Sequence, residues 1–326
     1  MFKQLIIKIA VCAASMIALV STAQATGQWP DRPVTIIVPI DAGTVQDVIA
    51  RQLAKSLTTT WNQPVTVINR PGAAGIVGTQ ALASSLADGY TLGLVSAPFT
   101  GVLALKNNLP YSREDISGVS KFARQNFMIF ASKNAPFDNI QQLISYAKAN
   151  PNKLDYATPG IGSYVHITME HLAKTQDLKL KHIPYRAMAQ ATLDVNEGRV
   201  HLVITSASPS LDGLVSKGEM KIVGSLSDGT VHRGVRIQSI SSVIPDVKSN
   251  GYYALIAPKG TPKAIVNKIH RDVSTALTDT EIVRNLADVS VPIDSPTTGS
   301  DEFDRWIDNE ISRLKRIVRL ASIQVE

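Results

Sequence analysis

Cysteine is nearly absent from these 326 residues: Cys12 stands alone, inside an apolar leader. That leader has a short basic start with Lys3 and Lys8, an apolar run over residues 9–20, and a small-x-small motif at Ala23-Gln24-Ala25. The pattern is that of a secretory signal peptide (1–25) cleaved after Ala25; a membrane span needs a longer apolar run. Lipid attachment at Cys12 would require a small residue before it, and Val11 is there. A chain starting near Thr26 then has no thiol, no disulfide and no cysteine-bound metal, so its stability must come from an ordinary apolar core. Charge is also sparse, at 18% of residues, with a formal +6 that becomes +4 once Lys3 and Lys8 are removed. No Lys/Arg block interleaved with aromatics suggests nucleic acid, and a mildly basic chain suits small anionic ligands. Low-complexity tracts are missing as well.

Catalytic signatures are equally scarce. There is no G-x-S-x-G nucleophile elbow. Gly72, Gly75 and Gly78 follow G-x-x-G-x-x-G, which misses the dinucleotide pattern; small residues there are expected to let helix and strand pack closely. Gly213 and Gly218 have phosphate-loop spacing, but Glu219 occupies the position of the required lysine. His166 and Glu170 are four apart with His171 adjacent, yet H-E-x-x-H and a third ligand are lacking, so neither metal nor cofactor is expected. His166 is expected to pack near a helix start and His171 to face solvent.

What is present is a repeated strand–loop–helix order. Residues 34–38 form a β-branched, apolar run ended by Pro39. Asp41-Ala42-Gly43-Thr44 makes a turn, and Val45, Val48, Ile49, Gln52 and Leu53 then fall on one helical face. Such a helix start leaves N–H groups free beside the positive dipole end, where a carboxylate could bind or water could suffice. Asp47, in the first turn, reads either as a general base or as a dipole complement bonded to the loop.

A second strand is expected at 65–68 and a third at 91–95, with Ser96-Ala97-Pro98 at its carboxyl end, the ligand edge of open α/β sheets. A mostly parallel sheet covered by helices follows. The stretch 119–131, broken at Arg124-Gln125-Asn126, reads as a crossing into a second unit. There, Thr158-Pro159-Gly160-Ile161-Gly162-Ser163 opens another helix after a strand, and Tyr185 and Thr205-Ser206 end two further strands. Tyr252 to Ala257 returns to the first unit. A helix capped by Thr261 follows, then two more to the end, with Arg313, Lys315, Arg316 and Arg319 expected on a solvated face.

Six segments then match a family in order: V-P-I-D-A-G-T-V-Q-D-V-I-A-R-Q-L-A, N-R-P-G-A-A-G-I-V-G, A-D-G-Y-T-L, A-K-A-N-P-N-K-L-D-Y-A-T-P-G-I-G-S-Y-V-H, I-P-Y-R and A-P-K-G-T-P. They resemble the landmarks of Bug-type extracytoplasmic solute receptors of bacterial tripartite tricarboxylate transporter systems. The resemblance implies a two-lobed α/β periplasmic binding protein, type II-like, with the ligand cleft between lobes 26–124 plus 250–326 and 125–249. It implies a monomer without enzymatic activity that delivers a small carboxylate or related amide to membrane permease subunits. Ligand contacts fall on Ile40, Asp41, Ala42, Asp47, Ser96, Ala97, Thr158, Ile161, Gly162, Ser163, Tyr185, Thr205 and Ser206. A proline that blocks the Gly162–Ser163 amide is expected to abolish binding and leave the fold intact.

Three departures from the family bear on the ligand. Asp41-Ala42-Gly43-Thr44 replaces a loop with two adjacent glycines, Tyr185-Arg186-Ala187 replaces Y-K-G, and Thr205 replaces an aspartate. An anion touching Asp41 would meet repulsion of roughly 1–4 kcal/mol. Two other readings stay open: a secreted hydrolase or isomerase using Asp47 and His166, and a ligand sensor without a transport role.

Overall fold

The computed structural model describes residues 29–185, 187–249 and 251–323. The leader with Cys12, its cleavage site and Arg186 lie outside the described residues. The first lobe begins β1 (Val34–Val38), α1 (Val45–Trp61), β2 (Val65–Asn69), α2 (Ile76–Ala83), β3 (Thr91–Ser96), α3 (Pro98–Leu105) and β4 (Ile116–Arg124). The second contains β5 (Met128–Ser132), α4 (Ile140–Ala149), β6 (Asp155–Thr158), α5 (Tyr164–Gln176), β7 (Lys181–Pro184), α6 (Met188–Asn196), β8 (Leu202–Thr205), α7 (Pro209–Ser216), β9 (Met220–Ser225) and the short pair β10 (Val231–His232) and β11 (Val235–Arg236). The chain returns through β12 (Tyr252–Pro258), α8 (Lys263–Ala276), α9 (Thr280–Asp288), β13 (Ile293–Gly299) and α10 (Ser300–Leu320).

Six strands make one sheet in the order β13-β4-β12-β3-β1-β2, and five make another in the order β7-β6-β8-β5-β9. Both sheets are mixed: most strands run one way, as expected from the sequence, and β12, β13 and β5 run against them. β1 is parallel to β2 and β3, and β6 to β7 and β8. β12 is antiparallel to β3 and β4, and β5 to β8 and β9. The reason is the path of the chain. Each crossing between lobes enters at the carboxyl edge of the sheet it joins, and a strand that starts there must run against its neighbours.

β12 is buried at all seven positions, whereas edge strand β2 alternates between half-buried and exposed residues. The buried face of α1 is Gln46, Asp47, Ile49, Ala50, Leu53, Ala54, Leu57 and Trp61, so Val45, Val48 and Gln52 are displaced from the expected stripe. Gln46 and Asp47 go inward because both are hydrogen-bonded to the loop and to β3, as described below. One apolar cluster runs from Leu82 and Phe303 through Phe127 and Tyr164 to Ile129 and Tyr156, so the lobes share a core at their junction.

Several elements were not expected. α3 is uniformly apolar and has no periodicity to distinguish helix from strand. β13 contains Pro296, which is tolerated only because the strand lies at a sheet edge. α7 is set by Ser208, whose hydroxyl caps Leu211 N–H, with Pro209 in first position. α8 is not capped by Thr261: Pro262 is the N-cap, and Thr261 Oγ1 donates to the carbonyl of Pro258. Among the described residues no helix is long and apolar enough to cross a membrane.

Small residues do allow close packing at 69–78. A Cβ on Gly78 would lie 2.7 Å from both the Arg70 carbonyl and the Pro39 Cα. Both are backbone atoms, so neither can swing aside. Gly78→Ala is expected to destabilise by about 1–3 kcal/mol and to push on the end of β1. Urea unfolding checks this, and a midpoint equal to wild type would refute it.

Candidate functional site

The register places the expected contact residues on two particular edges. β1, β2 and β3 are parallel, so residues 39–47, 69–78 and 96–97 all leave one carboxyl edge. β6, β7 and β8 are parallel, so residues 158–163, Tyr185 and 205–206 leave the carboxyl edge of the other sheet. Tyr253 pairs with both Ser96 and Ala123, so β4 also ends at the first edge. After Gln125-Asn126-Phe127 the chain re-enters at Met128, opposite Thr205. Both loop-bearing edges therefore flank the same crossover.

In the first lobe the loop before α1 is held by Asp47. Its Oδ2 accepts Gly43 N–H at 2.9 Å and Arg51 Nε–H at 3.0 Å, and its Oδ1 accepts Asn69 Nδ2–H at 2.9 Å. Asn69 also donates to the Ile40 carbonyl, and Thr44 Oγ1 caps Asp47 N–H. Burial by itself raises the Asp47 carboxyl, but the bonds from Arg51, Gly43 and Asn69 outweigh that and hold it below its ordinary value. Gln46 donates to the Leu94 carbonyl and accepts Ser96 Oγ–H, each at 2.7 Å, tying α1 to β3. Asp41 and Ala42 are exposed, and Ile40 is half-buried.

In the second lobe Ser163 caps α5, its hydroxyl accepting His166 N–H at 3.4 Å. His166 Nδ1 accepts Gly162 N–H at 3.1 Å, and Ser163 N–H donates to the Gly160 carbonyl. Thr158, fully buried, bonds His182 Nε2 at 2.6 Å and accepts Gly160 N–H. Ile161 is 64% exposed at the loop tip. Tyr185 donates its hydroxyl to Asp194, and burial followed by that bond pushes it up to about 12. The Ser206 hydroxyl is buried and has no partner among the described residues.

Some expected contacts are already engaged. The amides of Gly43, Gly162, Ser163 and Ala97 are spent on Asp47, His166, Gly160 and Gln125. The proline expectation for the Gly162–Ser163 amide is therefore corrected: that N–H is Ser163's and already donates to the Gly160 carbonyl, and a proline there would also remove the hydroxyl that caps the helix, so the loop would not stay intact. Among the described residues, the loop amides without an intramolecular partner include those of Ala42, Val45 and Gln46 in one lobe and Ile161 and Val165 in the other. These include first-turn N–H groups that a helix leaves for a ligand.

Residues for which no joining role was expected tie the lobes together. Gln125 Oε1 accepts Ala97 N–H, while its backbone N–H donates to the Gly251 carbonyl. Tyr164, the first residue of α5, donates its hydroxyl to buried Glu310 on α10 at 2.5 Å. Arg313 grips both Glu310 oxygens, at 2.9 and 2.7 Å, and also donates to the Tyr164 hydroxyl. Arg313 is thus not on the solvated face expected for it, although Lys315, Arg316 and Arg319 are exposed. His171 is half-buried instead of solvent-facing.

Two mixed sheets joined by crossings at their carboxyl edges, each edge bearing a capped helix start, define the two-lobed periplasmic binding-protein fold. The adipate-bound Rpa4515 of R. palustris is similar over 91% of this chain and all of its own, with TM-score 0.77 and 26% identity. The periplasmic binding protein BugD is similar over the same shares, with TM-score 0.75 and 24% identity. The chain belongs to the tripartite tricarboxylate transporter receptor family TctC, whose family model matches residues 49–323. BugT of Bordetella pertussis is 31% identical over 288 residues, 85% of this chain and 88% of BugT. As a family member, it is a solute-binding receptor.

Proposed function

We propose that this receptor captures a small carboxylate, or its amide, between its lobes in the periplasm and hands it to the permease subunits of its transporter. The lobes are 26–124 plus 250–326 and 125–249, and the receptor acts as a monomer. One observation carries the reading: each lobe presents at its carboxyl edge a rigidly capped helix start with unpartnered N–H groups. Two such weak anion sites reinforce one another when closure excludes water. Adipate in the similar Rpa4515 supports the ligand class. Binding without chemistry is favoured because Asp47 accepts three hydrogen bonds from its own lobe and His166 accepts one. Neither is poised as a free base.

The test is a thermal-shift screen of adipate, shorter and longer dicarboxylates and their monoamides. A ligand at about 100 times its dissociation constant is expected to add about 2.7 kcal/mol to stability. Monoamides outperforming the acids would mark exposed Asp41 as the group that repels a second charge. Stabilisation by none of these compounds would overturn the proposal.

A further inference from the structure

The two loops are built on one plan. In the first lobe Gly43 (φ 80°) precedes the cap Thr44, whose hydroxyl accepts Asp47 N–H at 3.3 Å, and Asp47 accepts Gly43 N–H at 2.9 Å. In the second, Gly162 (φ 76°) precedes the cap Ser163, whose hydroxyl accepts His166 N–H at 3.4 Å, and His166 accepts Gly162 N–H at 3.1 Å. Both are variants of the capping box: the third helical side chain reaches back not to the N–H of the cap but to that of the glycine before it. The acceptors differ in chemistry: a carboxylate in one lobe, an imidazole in the other.

We propose that His166 is the positioning residue of the second lobe's ligand loop, and that its neutral imidazole locks the loop while protonation unlocks it. The ligand part of this inference rests on the receptor reading above. Imidazole nitrogen accepts a hydrogen bond only when unprotonated. Gly162 N–H on Nδ1 therefore requires the neutral tautomer with its proton on Nε2. Imidazolium would set two donors against each other at 3.1 Å and release residues 160–163.

The surroundings oppose a positive charge there. The ring of His182 on β7 lies tilted against it with centroids 4.0 Å apart, and Tyr156 of β6 stacks at 6.5 Å. Glu170, one turn along α5, lies 3.8 Å from Nε2 but also accepts the Tyr156 hydroxyl. Burial pushes His166 below its ordinary value, with Glu170 pulling the other way. Burial and then the neighbouring His166 push His182 down to about 4. Both rings are thus neutral near neutral pH; His166 charges below its ordinary value and His182 at about 4. Asp47 has no such switch, because a carboxylate already held ionised stays an acceptor.

The experiment is side-chain and backbone ¹⁵N NMR of the full chain, together with affinity for adipate or the best dicarboxylate or monoamide of the screen across pH. Near about pH 7.5 the His166 ring should carry its proton on Nε2, and Gly162 N–H should be protected from exchange. Acidification should remove that protection while Gly43 N–H keeps its own. Below the His166 transition the dissociation constant should rise towards about tenfold per pH unit. His166→Phe should lose Gly162 protection at every pH. His166→Asp, which copies the first lobe, should restore protection and flatten its pH dependence. A proton on Nδ1 in the neutral state, or Gly162 protection that survives in His166→Phe, would overturn the inference. An affinity that stays level through the His166 transition would refute its ligand part. If the NMR behaves as stated and no carboxylate or amide binds, the positioning role stands and the receptor reading fails.

Discussion

Arg313→Met is expected to lower the unfolding midpoint by roughly 10 °C, corresponding to about 3–5 kcal/mol. The guanidinium is held on both Glu310 oxygens and on the Tyr164 hydroxyl, and Glu310 is only 3% exposed. Removing Arg313 leaves a buried carboxylate with its main charge partner gone, which is far worse than never having had the pair. Converting both residues to apolar ones, Glu310→Leu with Arg313→Met, should recover most of the loss. Calorimetry of the single and double variants decides the matter. A double variant as unstable as the single one would show that packing of α10, not the uncompensated charge, is responsible. Because Tyr164 is the first residue of the helix carrying the second ligand loop, the single variant should also weaken binding.

Asp47→Ala is the second large effect. It strips the acceptor from Gly43 N–H, Asn69 and Arg51 together, and stranded part-buried donors of this kind cost about 1–3 kcal/mol each at most. The expected result is about 3 kcal/mol of lost stability and an affinity at least about tenfold weaker, since the first lobe's amides are no longer held in place. Isothermal titration with the ligand found by the screen checks the second part. Unchanged affinity would mean that the 39–47 loop does not touch the ligand.

The same residue sets an acid limit. Asp47 is held below its unfolded value of 3.8, so the unfolded chain binds its proton first. Its stabilisation is complete above that value and is lost as pH falls through the folded one. Asp47→Asn should therefore show a shallower loss of stability in that window than wild type.

Local chemistry was legible and distant partnership was not. Gly43-Thr44 and Gly162-Ser163 read as helix starts because capping depends on residues within one turn. Asp47 could be narrowed to two roles but not assigned, since Asn69 lies 22 positions away. Gln46 carried no local signal, because its partners Leu94 and Ser96 sit on β3, about 50 positions on. Arg313 belongs to a basic run that reads as solvated, and only the packing of α10 against α5 turns it inward. The parallel direction of β1, β2 and β3 followed from strand–helix alternation. The antiparallel entries of β5 and β12 did not, because they depend on which edge the chain crosses.

By themselves the residues determined the alternation of strands and helices and the two glycine–hydroxyl helix starts, both of which are set by interactions within a few positions. Only the tertiary structure decided which amides remain free, that the acceptor in one loop is a carboxylate and in the other a neutral imidazole, and that Tyr164 is tied to Glu310 and Arg313. Those outcomes depend on burial and on contacts between segments far apart in the chain, where a hydrogen-bond partner is chosen by folding and not by spacing.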